Sequence, residues 1–352
     1  MSFKERFTQD YIIEKFTMGE IPIAEAFNKL FNLNEVNINH SYERRIYREE
    51  RTLNLQPVEN KDKNIEEGEK LKRLLEEMDT LIGLEEVKKI VKDYIAFIKV
   101  QKLRESYKLK TSPVVMHMIF KGNPGTGKTT MARIIGKIFK EIGYLKGGEL
   151  IEVERADLVG EYIGHTAQKT RKVVERALGG VLFIDEAYSL ARGGEKDFGK
   201  ECIDTLVKAM EDYKDKLIII LAGYRDEMNY FLKTNPGLAS RFAIQIDFPD
   251  YSLDELVQIA EIMYKEREYI LDEKSKHYIY RILSEIRNKE IINGNARTVR
   301  NLVERSIRYH ARRIIKMENI SRKDLIYIKK EDLLGEEGTD EEMPCNRDAQ
   351  CR

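Results

Sequence analysis

The chain has 352 residues, 61 basic and 61 acidic side chains, a formal net charge of zero, and 42% hydrophobic against 35% charged residues. Balanced charge gives no global field for nucleic acid or an acidic membrane, and no apolar run approaches the ~20 residues of a membrane span. The start of the chain lacks the pattern of a signal peptide, and Cys202, Cys345 and Cys351 offer neither a disulfide framework nor metal-ligand spacing, so the expectation is a reduced, cytoplasmic protein of two or three domains.

Residues 1–64 carry short amphipathic clusters, one around Ile12, Ile13 and Phe16 and one around Ala24, Phe27, Leu30 and Phe31. They read either as a small helical module or as a partly disordered extension. From Glu66 to Lys110 the pattern is helical, with a break at Leu81–Leu84 where Gly83 separates two helices. The apolar run Val114–Phe120 reads as a buried strand, and Ile134, Ile135, Ile138, Phe139 and Ile142 mark one face of the helix that follows. Further strands are expected at Leu150–Val153, Val181–Ile184, Leu217–Ala222 and Ile244–Phe248. Near-continuous apolar strands alternating with helices indicate an α/β fold, a five-stranded parallel sheet covered on both faces. After Phe248 the signal changes to helices over Leu253–Arg267, Lys274–Asn288 and Arg297–Lys316, a smaller α-helical domain. The division expected is an extension over 1–64, a large α/β domain over 65–249, a helical domain over 250–333, and an acidic, disordered tail over 334–352.

Chemistry concentrates beyond the strand ends, where open parallel sheets bind ligands. Gly122-Asn123-Pro124-Gly125-Thr126-Gly127-Lys128-Thr129-Thr130 fits the GxxxxGK[ST] phosphate loop, and it lies between a strand and a helix as that motif requires. Its glycines let backbone N–H groups surround a phosphate chain at the positive end of the helix. Lys128 supplies charge to the outer phosphates, and the Thr129 hydroxyl is a ligand for Mg²⁺. The third strand ends in Asp185 and Glu186. Asp185 is placed to hold the Mg²⁺ shell, and Glu186 to orient or deprotonate a water attacking the γ-phosphate. ATP and Mg²⁺ are therefore the expected ligands. Arg297, Arg300, Arg305, Arg308 and Arg312 make a loosely helical basic stripe, and the absence of net positive charge favours a solvated or subunit-facing surface over a nucleic-acid face.

The segments His117–Thr130, Asp157–Thr166, Gly179–Leu190, Leu221–Tyr224 and Asn235–Phe242 resemble the AAA+ ATPases, in the branch that contains stage V sporulation protein K and the red-type Rubisco activases. The similarity runs from about Leu81 to Ile315 and fits the sporulation side of the branch best. The resemblance implies a P-loop NTPase core with a small helical lid, assembled as a homo-oligomer, a hexameric ring with ATP between neighbours. It implies that Arg241 is an arginine finger supplied in trans, that Arg297 is a sensor reaching from the lid to the γ-phosphate, and that Ile82 and Gly83 line the nucleotide site. Tyr162-Ile163-Gly164 corresponds to an aromatic pore loop that grips a protein client, and Gly193-Gly194 to a second pore loop. One departure stands out: Tyr224 occupies a position where many AAA+ proteins carry an Asn that helps orient the attacking water. The expected activity is ATP-driven protein remodelling. The rivals are an ATP-assembled scaffold with slow hydrolysis, a Rubisco-activase-like remodeller, and a nucleic-acid-loading ATPase resting on the arginine stripe.

Overall fold

The structure, a computed structural model, describes residues 61–111, 115–162, 164–192, 198–288 and 294–334. The expectations for residues 1–60, for the tail after residue 334, and for Ile163, Gly193 and Gly194 lie outside the described residues. The first two helices are α1 (Lys61–Asp79), which begins ahead of the expected Glu66, and α2 (Glu85–Ser106). They break where expected. Gly83 and Leu84 both take left-handed backbone angles, φ +62° and +60°. Glycine meets the left-handed φ at position 83 without cost, and the end of the Glu255 side chain lies where a Cβ would stand.

Five parallel strands form the main sheet: β1 (Met118–Gly122), β2 (Leu150–Val153), β3 (Val181–Ile184), β4 (Ile218–Gly223) and β5 (Ile244–Phe248). Their order is β2-β3-β4-β1-β5, with Met118 level with Ile220 on one side and Ile244 on the other. The connecting helices are α3 (Lys128–Glu141), α4 (Arg155–Leu158), α5 (His165–Ala177), α6 (Gly199–Asp212), α7 (Arg225–Thr234) and α8 (Pro236–Ala239), with a 3₁₀ turn at Ala187–Ala191.

Side-chain alternation explains the continuous apolar strands. Met118, Phe120, Val181, Phe183, Ile218 and Ile220 face one core, shared with α1, α2 and α3. Ile119, Leu182, Ile184, Ile219 and Leu221 face the other, shared with α5, α6, α7 and α8. The inner strands are buried on both faces and are apolar at every position but one, the half-buried Lys121 near the end of β1. The edge strand β5 differs. Ile244, Ile246 and Phe248 are buried while Gln245 and Asp247 are exposed, which restores a period of two.

Beyond β5 lie α9 (Leu253–Lys265), α10 (Glu273–Asn288), α11 (Ala296–Ile315), α12 (Arg322–Ile326) and α13 (Lys330–Leu334). Their buried residues, among them Leu256, Tyr264, Leu283, Val299 and Val303, continue the first core without a gap. A two-residue parallel pairing of β6 (Ile270–Leu271) with β7 (Tyr327–Ile328) was not expected. No pattern extends over so short a run.

The first strand begins later than Val114. Among the described residues of that run, 115–117 lie outside the ladder, and His117 shows why. Its Nδ1 accepts the Ile219 N–H at 3.0 Å, so a side chain meets a donor of β4 just before the strand pairing starts. Only 1% of His117 is exposed, and burial pushes its pKa down to about 4. In the unfolded chain the imidazole titrates near 6.5. The depressed value therefore contributes stability that is full above about pH 6.5 and lost as the pH falls through 4. The loss should reach about 3 kcal/mol at the acid end. His117→Asn keeps an acceptor at the Nδ1 position without the titration. Urea unfolding of both proteins from pH 7 to 4 should show that extra slope in the wild type alone, and equal slopes would mean that His117 is not its source.

Candidate active site

The loop Gly122–Gly127 joins β1 to α3 at the carboxyl end of the central strand. Gly125 and Gly127 have φ of +74° and +91°. A Cβ on Gly122 would lie 2.4 Å from Phe248 O, and one on Gly125 would lie 2.3 Å from Gly294 O. The backbone is thus packed too closely for any side chain at either position. Gly127 caps α3 with no side-chain hydrogen bond, and the first turn of α3 contains no acid, so its N–H groups remain available to an anion. The Thr126 hydroxyl donates to Asn123 O at 2.8 Å and fixes the loop from inside.

Lys128 is 9% exposed and its Nζ donates to Gly122 O and Asn123 O, both at 2.8 Å. Burial lowers its pKa; Asp185 opposes that shift, Arg297 adds to it, and Asp250 opposes it. Three chain segments remote in sequence are therefore within electrostatic reach of one ammonium. Thr129, next along α3, is half-buried, as is Asp185 at the end of β3. A hydroxyl and a carboxylate form an oxygen donor set suited to Mg²⁺, which binds through one or two protein groups and keeps waters and phosphate oxygens for the rest. Among the described residues no cluster of three or more His, Cys, Asp or Glu could hold a metal by itself.

Asp185 Oδ1 accepts the Glu186 N–H at 2.9 Å. Glu186 is exposed and holds φ +45°, ψ +43°, a left-handed conformation uncommon for a residue with a Cβ. Two tyrosines wall this corner. The Tyr188 and Tyr224 rings stand 6.0 Å apart, and the Arg192 guanidinium lies 4.7 Å from the centre of the Tyr188 ring. Burial raises the Tyr224 pKa, with Glu186, Glu227 and Asp185 adding to the shift and Arg297 countering it. Tyr224 therefore shares a corner with Asp185, Glu186 and Arg297. Arg225 turns elsewhere, to Asp247 at 3.5 Å.

Arg241 is not in this group. Its Nε donates to Glu211 Oε1 at 3.1 Å, its NH1 donates to Gly237 O at 2.9 Å, and its NH2 also reaches Glu211. The turn at Ile82 and Gly83 lies at the other end of the loop, where Leu84 Cδ1 and Tyr251 Oη line the space beside Gly127 at 3.5 and 3.2 Å from its Cβ position. Tyr162 is 66% exposed and lies edge-on to the His165 ring, 5.5 Å between centres, while among the described residues nothing lies within 4 Å of a Cβ on Gly164. In the arginine stripe Arg297, Arg300, Arg308 and Arg312 are exposed, but Arg305 is drawn half inside, its Nε without a protein hydrogen bond.

Sequence reading singled out neither Asp250 nor Asn295. Asn295 Nδ2 donates to Asp250 Oδ1 at 2.8 Å and to Pro124 O at 3.3 Å, and the Asp250 carboxylate accepts from Asn123 Nδ2 at 2.9 and 3.0 Å. The available signals were weak: an Asn between Gly294 and a helix, and an acid after Phe248-Pro249. Neither pattern names a partner.

A family profile described as "ATPase family associated with various cellular activities (AAA)" matches residues 118–250, and an AAA lid domain profile matches residues 252–343. The chain is 55% identical over 267 residues to stage V sporulation protein K of Bacillus subtilis, covering 75% of this chain and 82% of that protein. It is 47% identical over 244 residues to the plasmid CbxX protein of Cupriavidus necator, covering 69% and 77%. Against the chloroplastic ribulose bisphosphate carboxylase/oxygenase activase of Cyanidioschyzon merolae it is 43% identical over 289 residues, covering 81% and 96%. The AAA domain of FIGL-1, solved with ADP, superposes with a TM-score of 0.50 at 19% identity over 72% of this chain and 80% of that one, a likeness of fold. The parallel sheet, the phosphate loop packed against a helical lid, and these relatives together identify the chain as a member of the AAA+ ATPase family, in the branch of stage V sporulation protein K and the CbxX-type proteins.

Proposed function

We propose that this chain hydrolyses ATP as a homo-oligomeric ring, a hexamer by family analogy, and uses the cycle to pull on a protein client. On this reading residues 65–249 hold the nucleotide and residues 250–333 form the lid. The observation that carries the proposal is the shared corner of Lys128, Asp185, Glu186, Tyr224 and Arg297, with Arg241 tied elsewhere in the same chain. A pocket with every group but its finger needs a neighbour to complete it.

The loop N–H groups and Lys128 bind the triphosphate, with Ile82 and Gly83 beside it. When bound, Mg²⁺, held by Thr129 and Asp185, neutralises charge on the phosphate oxygens. Glu186 takes the proton of the attacking water. Its N–H donates to Asp185 Oδ1, which ties the residue's backbone to the carboxylate assigned to the metal. Tyr224 is a neutral phenol, its pKa raised further by burial and Glu186, and a neutral phenol can donate to the water or to the γ-phosphate. Arg241 of one protomer offsets the charge that develops on the phosphate bound by the next. Tyr162, exposed on a turn with open space around the Cβ position of Gly164, supplies an apolar grip on an extended chain of any sequence. The exposed Tyr162 favours a motor over a scaffold that only assembles. The client's identity follows from none of these groups; sporulation and carboxylase activation are the settings its relatives' names suggest.

Glu186→Gln should bind ATP as tightly as the wild type and slow turnover by about 10²-fold or more; unchanged turnover would remove Glu186 from the chemistry. Arg241→Ala should cost about 10³-fold in rate. Mixing it with a Lys128→Ala chain, whose own pocket is disabled but whose finger is intact, should restore measurable ATPase activity. Failure to do so, with both chains present in one oligomer, would argue against a finger acting in trans. Tyr162→Ala should leave basal ATPase within about twofold and abolish unfolding of a tagged reporter substrate. Threading that survives the change would refute the pore-loop role.

A further inference from the structure

Asn295 joins the lid to the phosphate loop through its side chain, and its backbone is unusual for a residue with a Cβ. It holds φ +46° and ψ −127°, a region in which glycine is the low-cost residue, yet it is an Asn and 7% exposed. Such a conformation persists only where its surroundings over-determine it. Here they do. Oδ1 accepts the Tyr251 N–H at 3.0 Å; Nδ2 donates to Asp250 Oδ1 at 2.8 Å and to Pro124 O at 3.3 Å. One amide thus touches the phosphate loop and the segment after β5, from the residue that immediately precedes α11 and its Arg297.

The backbone alongside is equally close. The Ala296 N–H donates to Gly125 O at 3.2 Å, and a Cβ on Gly125 would lie 2.9 Å from Arg297 N. The loop and the helix that bears Arg297 are therefore in backbone contact, and any tilt of α11 must be transmitted to Pro124 and Gly125 or break the amide's bonds. Asp250 extends the link, because its carboxylate also accepts both bonds from Asn123 Nδ2. Only an amide fits. It needs an acceptor for Tyr251 and donors for Asp250 and Pro124, and a carboxylate at position 295 would face Asp250 with neither donor.

We infer that Asn295, through Asp250 and Pro124, is a positioning residue that sets Arg297 against the phosphate loop and makes loop geometry and lid angle a single variable. The inference rests on the proposed role of Arg297 at the γ-phosphate. If it holds, losing the amide misplaces Arg297 in the transition state while leaving nucleotide affinity largely to the loop and Lys128.

Asn295→Gly is the informative variant, because glycine accepts the backbone angles and removes only the amide. In the full chain it should melt within a few degrees of the wild type, lower kcat about tenfold and change KM little. Arg297→Ala should lower kcat by at least as much, and adding Asn295→Gly to it should cost almost nothing further, the non-additivity expected of two residues acting as one unit. Wild-type kcat for Asn295→Gly beside a damaged Arg297→Ala would overturn this inference and leave the ATPase reading intact. Independent, multiplying losses in the double variant would also overturn it. A silent Arg297→Ala would remove the parent reading and this one with it.

Discussion

An ammonium taken out of water must find oxygen partners, and Lys128 sets that requirement at the centre of the molecule. Gly122 O and Asn123 O meet it only because the loop doubles back on itself, which demands left-handed glycines at 125 and 127 and bare backbone at 122 against Phe248. That contact exists because β1 lies between β4 and β5. The remaining desolvation is opposed by Asp185 from the end of β3 and by Asp250 from beyond β5, and aggravated by Arg297 from the lid. A charge balance around one lysine therefore constrains the sheet order, two loops and the seating of the helical lid. A triphosphate with its metal entering this site changes that balance for all of them together.

The sequence made most of the sheet legible because the inner strands are buried on both faces and are apolar at all positions but Lys121. Val181–Ile184 could be read to the residue, as could Leu150–Val153 and the alternating Ile244–Phe248. The exceptions have physical causes. His117 sits in an apolar run and looks like strand, but its ring serves the Ile219 amide in place of a ladder partner. The pairing of Ile270–Leu271 with Tyr327–Ile328 is two residues long and joins segments far apart in the chain. In the site, the glycine loop and the Asp185–Glu186 pair carry local patterns with a chemical reason. Asn295 and Asp250 carry none, since their meaning lies in contacts across more than forty positions of sequence. The interest of Tyr162 and Arg241 came from resemblance; no spacing rule separates them from an ordinary surface tyrosine or loop arginine.

Arg241 deserves reading together with its partner. In the single chain its guanidinium is held by the Glu211 carboxylate and by Gly237 O, about a third of its side chain exposed. An exposed ion pair of this kind contributes little, on the order of 0–1 kcal/mol. Exchanging Glu211 for a neighbour's phosphate therefore costs little, and the incoming anion carries more charge. Gly237 O can keep NH1 in place during the exchange. On the proposed reading the finger is pre-oriented on its own chain, so that little side-chain entropy remains to be lost when the interface closes.

On the proposed reading, Tyr224 near the end of β4, where the resemblance leads one to expect an amide, changes how the attacking water is held. An amide offers a donor and an acceptor at short reach. The Tyr224 phenol reaches further, from a wall shared with Tyr188, and its pKa is raised above the already high value of an ordinary tyrosine. That shift has burial as its first cause and Glu186 as its second, which sets the phenol near the carboxylate. On the proposed reading the phenol donates to the attacking water while Glu186 accepts that water's proton, so two side chains divide the donor and acceptor roles that a single amide would combine.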